Sequence, residues 1–306
     1  MSPDDHGRRG VRRRALLKMM AGAAALPAQL ATLPARAEGV PTKIVSLDYG
    51  LASTMLSLGV TPAAVASLAD WDKWVVEPRM PAGVIDLGSS WEVNFEILTE
   101  LKPDLILTTP YLDALLPKLE AVAPVLRLEI YTPEGGEILP ATIAATRKLA
   151  AAIDRTGEGE RYLVAADTFF AECRRRLEPL SPPPLALVNF MDARHARIYG
   201  APGLFDNVLQ KIGIENAWKE KSNYWGFQTI GIEELSRVTD RQARLIAFEP
   251  LPGDVLPKID QSPLWRALPF ARPGHFSIVP PALMFGMVNE AIRFASIITS
   301  ELESGS

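Results

Sequence analysis

Apolar positions recur at helical spacing from Val93 to Leu101, stop at Lys102-Pro103, and resume as the unbroken apolar run Leu105-Ile106-Leu107. That pattern predicts a short helix, a turn and a buried strand. The same order of parts returns later, where Ile230-Gly231-Ile232-Glu233-Glu234-Leu235 leads through a polar connector to Ala243-Arg244-Leu245-Ile246-Ala247-Phe248. The beginnings of the two halves also match. Lys43-Ile44-Val45-Ser46-Leu47 precedes a helix closing at Leu58-Gly59-Val60, and Leu185-Ala186-Leu187-Val188-Asn189 precedes one closing at Ile212-Gly213-Ile214. The pattern predicts an α/β chain of two similar, Rossmann-like lobes, with a ligand cleft between them.

Between the halves lies the longest helical stretch. One helix is predicted from about Leu139 to Ile153 and a second from Gly159 to Leu177, with Tyr162, Ala166, Phe169, Phe170, Cys173 and Leu177 near helical spacing. Ser181-Pro182-Pro183-Pro184 then ends the helix and feeds the second lobe. The predicted organisation is a first lobe over 38–156, one long linking helix over 157–181 and a second lobe over 182–306. A single helix crossing between lobes resists hinging, so wide closure is not expected.

Residues 1–37 read as an address. Arg12-Arg13-Arg14-Ala15-Leu16-Leu17-Lys18 is a twin-arginine signature, Met19 to Leu33 a short apolar run interrupted by Pro27 and Gln29, and Ala35-Arg36-Ala37 a small-x-small cleavage site. The run is too short for a membrane span, which needs about 20 apolar residues. A twin-arginine signal peptide cleaved near Ala37 is expected, with the mature protein in the periplasm. Without that segment's seven basic and two acidic side chains, 25 basic groups stand against 34 acidic ones, a net charge near −9. Such a surface disfavours nucleic acid and anionic lipid. The single Cys173 has no internal disulfide partner and is expected as a small core residue of a monomer.

A catalytic site finds little support. The three histidines are His6, His195 and His275, and no His/Cys cluster, phosphate loop or nucleophile elbow accompanies them, so no protein-ligated metal and no cofactor are expected. Arg194-His195 is readable either as a hydrogen-bonded pair at a strand end or as a pair of donors facing the cleft. Aromatic residues carry the stronger signal. Tyr49, Trp71, Trp74 and Tyr111 follow predicted strands, Trp91 precedes the helix at Asn94, and Tyr224-Trp225 lie in a Gly-flanked loop of the second lobe; the ends of strands are where open parallel sheets bind ligands. Together they suggest a large, partly apolar ligand held by stacking, with tyrosine hydroxyls and arginines donating to its oxygens.

The segments Leu47-Asp48-Tyr49, Trp74-Val75-Val76-Glu77-Pro78, Val84-Ile85-Asp86-Leu87-Gly88, Asn94-Phe95-Glu96, Lys102-Pro103-Asp104, Asp192-Ala193-Arg194-His195, Asn216-Ala217-Trp218, Asn223-Tyr224-Trp225-Gly226 and Pro263-Leu264-Trp265-Arg266-Ala267-Leu268-Pro269-Phe270 resemble the periplasmic iron(III)-hydroxamate-binding proteins of ABC importers. The resemblance runs through almost the whole mature chain. It implies capture of a ferric siderophore, of hydroxamate or citrate-hydroxamate type, and delivery to the permease subunits of an inner-membrane importer. Cobalamin, haem or a catecholate siderophore in the same role is the alternative, and an extracytoplasmic enzyme a more distant one. The iron would be held by the siderophore, not by the protein. Residue by residue, the resemblance implies ligand contacts at Tyr49, Trp74, Tyr111 and Trp225. The family's ligand-binding arginine is replaced by Ser90, and a cleft tryptophan and tyrosine become Leu283 and Phe285. Arg79, Arg194 or Tyr224 is then expected to replace the lost donor, with Trp91 filling part of the vacated space. Glu96 and Glu233, at matching points of the two lobes, are implied as permease-docking carboxylates; helix-dipole compensation alone would also place them there.

Overall fold

The computed structural model describes residues 39–305, so the expected signal peptide, its cleavage site and His6 lie outside the described residues. The first lobe is built on five short strands: β1 (Ile44–Ser46), β2 (Ala64–Val65), β3 (Ile85–Asp86), β4 (Leu105–Thr108) and β5 (Val125–Arg127). They form one parallel sheet in the order β3-β2-β1-β4-β5, with Val45 opposite both Ala64 and Ile106. The central strands are buried apolar runs, as a sheet covered on both faces requires. Helix α1 (Tyr49–Ser57) starts where the Asp48 side chain accepts from the Leu51 amide, and a short helix α2 (Trp71–Trp74) follows β2. Helix α3 (Phe95–Leu101) is capped by Asn94, whose side chain accepts from the Ile97 amide at 3.1 Å, and it ends at Lys102 in the left-handed region just before Pro103. Helix α4 (Leu116–Glu120) lies between β4 and β5.

Helices α5 (Ile138–Ala152) and α6 (Thr156–Leu177) lead to the second lobe; α6, at 22 residues, is the linking helix. The second sheet contains β6 (Leu185–Phe190), β7 (His195–Tyr199), β8 (Phe227–Gly231), β9 (Arg244–Phe248) and β10 (Phe276–Val279), in the order β10-β9-β6-β7-β8. Strands β6, β9 and β10 run parallel, as in the first lobe. Strand β7 pairs antiparallel with β6, and β8 antiparallel with β7. The duplication is therefore incomplete: the tight turn after β6 makes a hairpin where the first lobe crosses through a helix. Helices α7 (Leu204–Lys211), α8 (Val255–Gln261), α9 (Pro263–Ala267) and α10 (Val288–Ser304) complete the fold.

The joint between the lobes is wider than one helix. Helix α10 packs against α1, α5, α6 and α7, and one continuous buried cluster runs from Leu51 and Met55 through Phe170 to Phe205 and Phe294. Phe205 stacks on Phe294 with ring centres 4.2 Å apart. Polar ties cross the same seam: Ser53 Oγ donates to Glu290 at 2.7 Å, Asn289 Nδ2 to the Ser53 carbonyl at 2.8 Å, and Tyr131 OH to the Met284 carbonyl at 2.8 Å. The last helix thus packs against both lobes, and the joint is a shared core as well as α6.

Glu290 is fully buried at this seam without a cationic partner among the described residues. Burial pushes its carboxyl from 4.5 up to about 6, with the Asp48 charge adding to the rise against hydrogen bonds from Met287 and Ser53. A carboxyl that holds its proton more tightly in the folded state contributes stability that is full below the unfolded value and lost as pH rises through the folded one. Between pH 7.5 and pH 5, wild type is therefore expected to gain about 1 kcal/mol relative to Glu290→Gln. Urea midpoints of both proteins at the two pH values check this; a constant gap would remove Glu290 from the pH dependence.

Candidate functional site

Between the lobes lies a cavity of about 590 Å³ at the carboxyl ends of the parallel strands. The first lobe contributes Leu47, Asp48 and Tyr49 after β1, Ala66, Ser67 and Trp74 after β2, and Ser90 and Trp91 after β3. Thr109 and Tyr111 follow β4, and Tyr131 follows β5. The second lobe contributes Asn189 and Phe190 of β6, Arg197 and Tyr199 of β7, Phe227 of β8, Glu249 after β9, Trp225, and the segment Ala282 to Phe285.

Aromatic rings cross the cleft in an unbroken series. Trp91, 76 % exposed, meets the edge of Tyr111 at 4.6 Å, and Tyr111 meets the edge of Trp225 at 5.8 Å. Trp225 stacks on Tyr131 at 5.2 Å and meets Phe285 at 5.3 Å, and Phe285 in turn meets Phe227 at 6.0 Å. So large an exposed ring as Trp91, continuous with a cavity, is an unsatisfied apolar surface of the kind a ligand covers. The Trp225 loop is fixed by its own backbone: Asn223 Oδ1 accepts from the Trp225 amide at 3.0 Å, and Gly226 adopts φ +82° against Gly203. A Cβ at Gly226 would overlap Gly203, which is why the residue after Trp225 is glycine.

The polar groups divide by what they have left to offer. Tyr49 OH donates to the Ser67 carbonyl at 2.5 Å and its ring meets Trp71 at 5.7 Å; burial, with the Asp70 charge, pushes the phenol up to about 12, so it stays neutral. Asp48 is held at the N-terminus of α1, and burial pushes its carboxyl up to about 6 in spite of the amides it accepts from. The Ser90 amide donates to Ser67 Oγ at 2.9 Å. Trp74 lines the cavity with Lys73 Nζ 4.6 Å above its ring.

Of the residues singled out in the sequence, Tyr49, Trp74, Ser90, Trp91, Tyr111, Trp225 and Phe285 come together in this lining, as does Leu283. Three do not. Trp71 is core, its indole N–H donating to the Pro78 carbonyl at 2.9 Å. Arg194 is set apart from the cleft: it sits in the β6–β7 hairpin, its amide donating to Asp192 Oδ1, and lines a separate pocket with His195 and Glu233. His195 Nδ1 lies 3.0 Å from Asp192 Oδ2 and holds that carboxyl down to about 2, so the pair is a hairpin lock rather than a pair of cleft donors. Tyr224 packs beside Trp225 at 4.9 Å but does not line the cavity, and Arg79 is exposed outside it.

The residue that sequence reading missed is Arg197. Along β7, Ala196 and Ile198 enter the core, while Arg197 and Tyr199 line the cleft. This is strand alternation, and the period-two run His195-Ala196-Arg197-Ile198-Tyr199 is its signal in the sequence. The Arg197 guanidinium lies 4.4 Å over the Phe227 ring. Tyr131, with its hydroxyl buried against the Met284 carbonyl, was missed as well.

Among the described residues no three His, Cys, Asp or Glu side chains converge to hold a metal. Glu96, in the first turn of α3, and Glu233, in the first turn of the short 3-10 helix Ile232–Arg237 after β8, are exposed and form no ion pair among the described residues.

The protein family described as periplasmic binding protein matches residues 44–283. Over 262 residues the chain is 29 % identical to the iron(3+)-hydroxamate-binding protein FhuD of Escherichia coli K12, covering 86 % of this chain and 87 % of that one. The Fe(3+)-citrate-binding protein YfmC of Bacillus subtilis is 22 % identical over 77 % of this chain and 72 % of its own. Among solved structures, the siderophore-binding protein FhuD of Vibrio cholerae with bound Fe3+-Desferal superposes with a TM-score of 0.80 at 26 % identity, covering 87 % of this chain and 99 % of that one.

Proposed function

Since this chain belongs to the periplasmic binding protein family, we propose that it captures a ferric siderophore in the cleft between its lobes and delivers it to an ABC importer. The observation that carries this reading is the ring series from Trp91 through Tyr111 and Trp225 to Phe285, open on one side to a cavity of about 590 Å³. Such a wall suits the organic shell of an iron complex whose metal is already saturated. The protein then needs no metal ligands of its own, and it acts by stoichiometric binding rather than turnover. Export through the twin-arginine pathway, action as a monomer in the periplasm, and docking of Glu96 and Glu233 on the two permease subunits complete the proposal.

Titration of the purified protein with ferric complexes of trihydroxamate and citrate-hydroxamate siderophores tests it. One-to-one binding with quenching of tryptophan fluorescence is the expected result. The shared packing at the lobe joint should keep the radius of gyration nearly constant through the same titration. Binding of haem or cobalamin with no response to any ferric siderophore would replace the ligand class.

A further inference from the structure

Among the described residues Arg197 is the one cationic side chain in the cleft lining; it stands on the second lobe, and Ser90 lines the cleft from the first. The guanidinium lies 4.4 Å over the ring of Phe227 and 5.9 Å from that of Phe285. Its Nε is buried and meets no acceptor among the described residues. The neighbouring groups are already committed: Tyr199 OH donates to Asn189 Oδ1 and Asn189 Nδ2 donates to the Phe248 carbonyl, while burial raises the Tyr199 phenol and the nearby Arg197 charge works against that rise. No carboxylate pairs with Arg197 among the described residues. The two carboxylates of the lining stand elsewhere, Asp48 accepting from the Leu51 amide at 3.0 Å and Glu249 exposed on another loop.

With Nε buried against the aromatic wall and no carboxylate paired to it among the described residues, the Arg197 charge is costly in the empty protein, and where the side chain lines the cavity it gains most from a ligand oxygen that carries negative charge. We infer that Arg197 is the anion anchor of this cleft, and that the preferred ligand is a ferric complex with net negative charge, of the citrate-hydroxamate class, rather than a neutral trihydroxamate. The inference rests on the siderophore reading above and narrows it. Arginine rather than lysine suits the position, because its planar fork stacks on Phe227 and still presents N–H groups at its edge.

The alternative is that Arg197 only props the Phe227 ring. Two probes separate the cases: ferric aerobactin, a negatively charged citrate-dihydroxamate complex, and ferric N-acetyl-desferrioxamine, a neutral trihydroxamate complex. Dissociation constants are measured by calorimetry for wild type, Arg197→Gln and Arg197→Lys, each confirmed as folded by thermal melting. Arg197→Gln is expected to weaken ferric aerobactin by about 30-fold or more and the neutral complex by less than about 3-fold, with Arg197→Lys between wild type and glutamine for the anionic probe alone. Wild-type affinity for ferric aerobactin should also fall with added salt, and that of Arg197→Gln should not. Equal losses for both probes, or none for either, would make Arg197 a prop and overturn the inference. Should wild type bind the neutral complex and not the anionic one, the inference alone fails; should it bind neither, the siderophore reading falls and this goes with it.

Discussion

Reversing both exposed glutamates, as Glu96→Lys with Glu233→Lys, is expected to abolish siderophore uptake and stimulation of the importer's ATPase in vesicles while leaving ligand affinity within about twofold. Neither carboxylate lines the cleft. Neither is paired with a cation among the described residues, and each sits in the first turn of a short helix on its own lobe. As helix-dipole partners they are worth about 0.3–1 kcal/mol each, so reversal leaves the fold intact. On the docking role proposed above, exposed charges on the two lobes would act instead on association and register with the two permease subunits, where like-charge contact costs several kcal/mol. Transport at the wild-type rate by the double variant would reduce both residues to helix partners.

Trp225→Ala is expected to weaken ferric-siderophore binding by about 1–3 kcal/mol, roughly 5- to 150-fold, with the protein still folded. Trp225 is the node of the ring series: it stacks on Tyr131, receives the edge of Tyr111 and abuts Phe285. Its loss breaks the wall at the middle, whereas Trp91, at the exposed end, can be lost with less disturbance to its neighbours. The Gly203–Gly226 contact and the Asn223 hydrogen bonds hold the loop independently of the indole, which is why folding survives. Calorimetry on Trp225→Ala and Tyr111→Phe settles the point: unchanged affinity in both would move the binding site elsewhere.

Legibility of the fold in the chain followed from how local each signal was. The helix capped by Asn94 and stopped at Lys102-Pro103, the strand Leu105 to Thr108, and the long helix ending at Leu177 rest on capping chemistry and apolar spacing within a few residues, and the structure places them within one to three residues of their predicted limits. The β7–β8 pair did not stand out, because its strands are half-buried and the hairpin tip Asp192-Ala193-Arg194 reads as an ordinary polar loop. Helix α10 was assigned to one lobe on chain order, but its buried face, with Phe294 and Ile298, packs against helices of both.

Sequence alone determined the α/β class, the two-part organisation with a long linking helix, and the cluster of aromatics at strand ends, because each follows from short-range periodicity or from strand polarity. Which arginine faces the cleft was a different kind of question. Arg79, Arg194 and Arg197 are equivalent as letters, and only strand alternation after an antiparallel turn, together with the packing of Phe227 and Phe285, puts Arg197 in the cleft and the other two outside it. Tertiary structure also decided that Tyr131 and Trp225, 94 positions apart, stack face to face, since contact between lobes is set by how the shared core closes and not by anything in the neighbourhood of either residue.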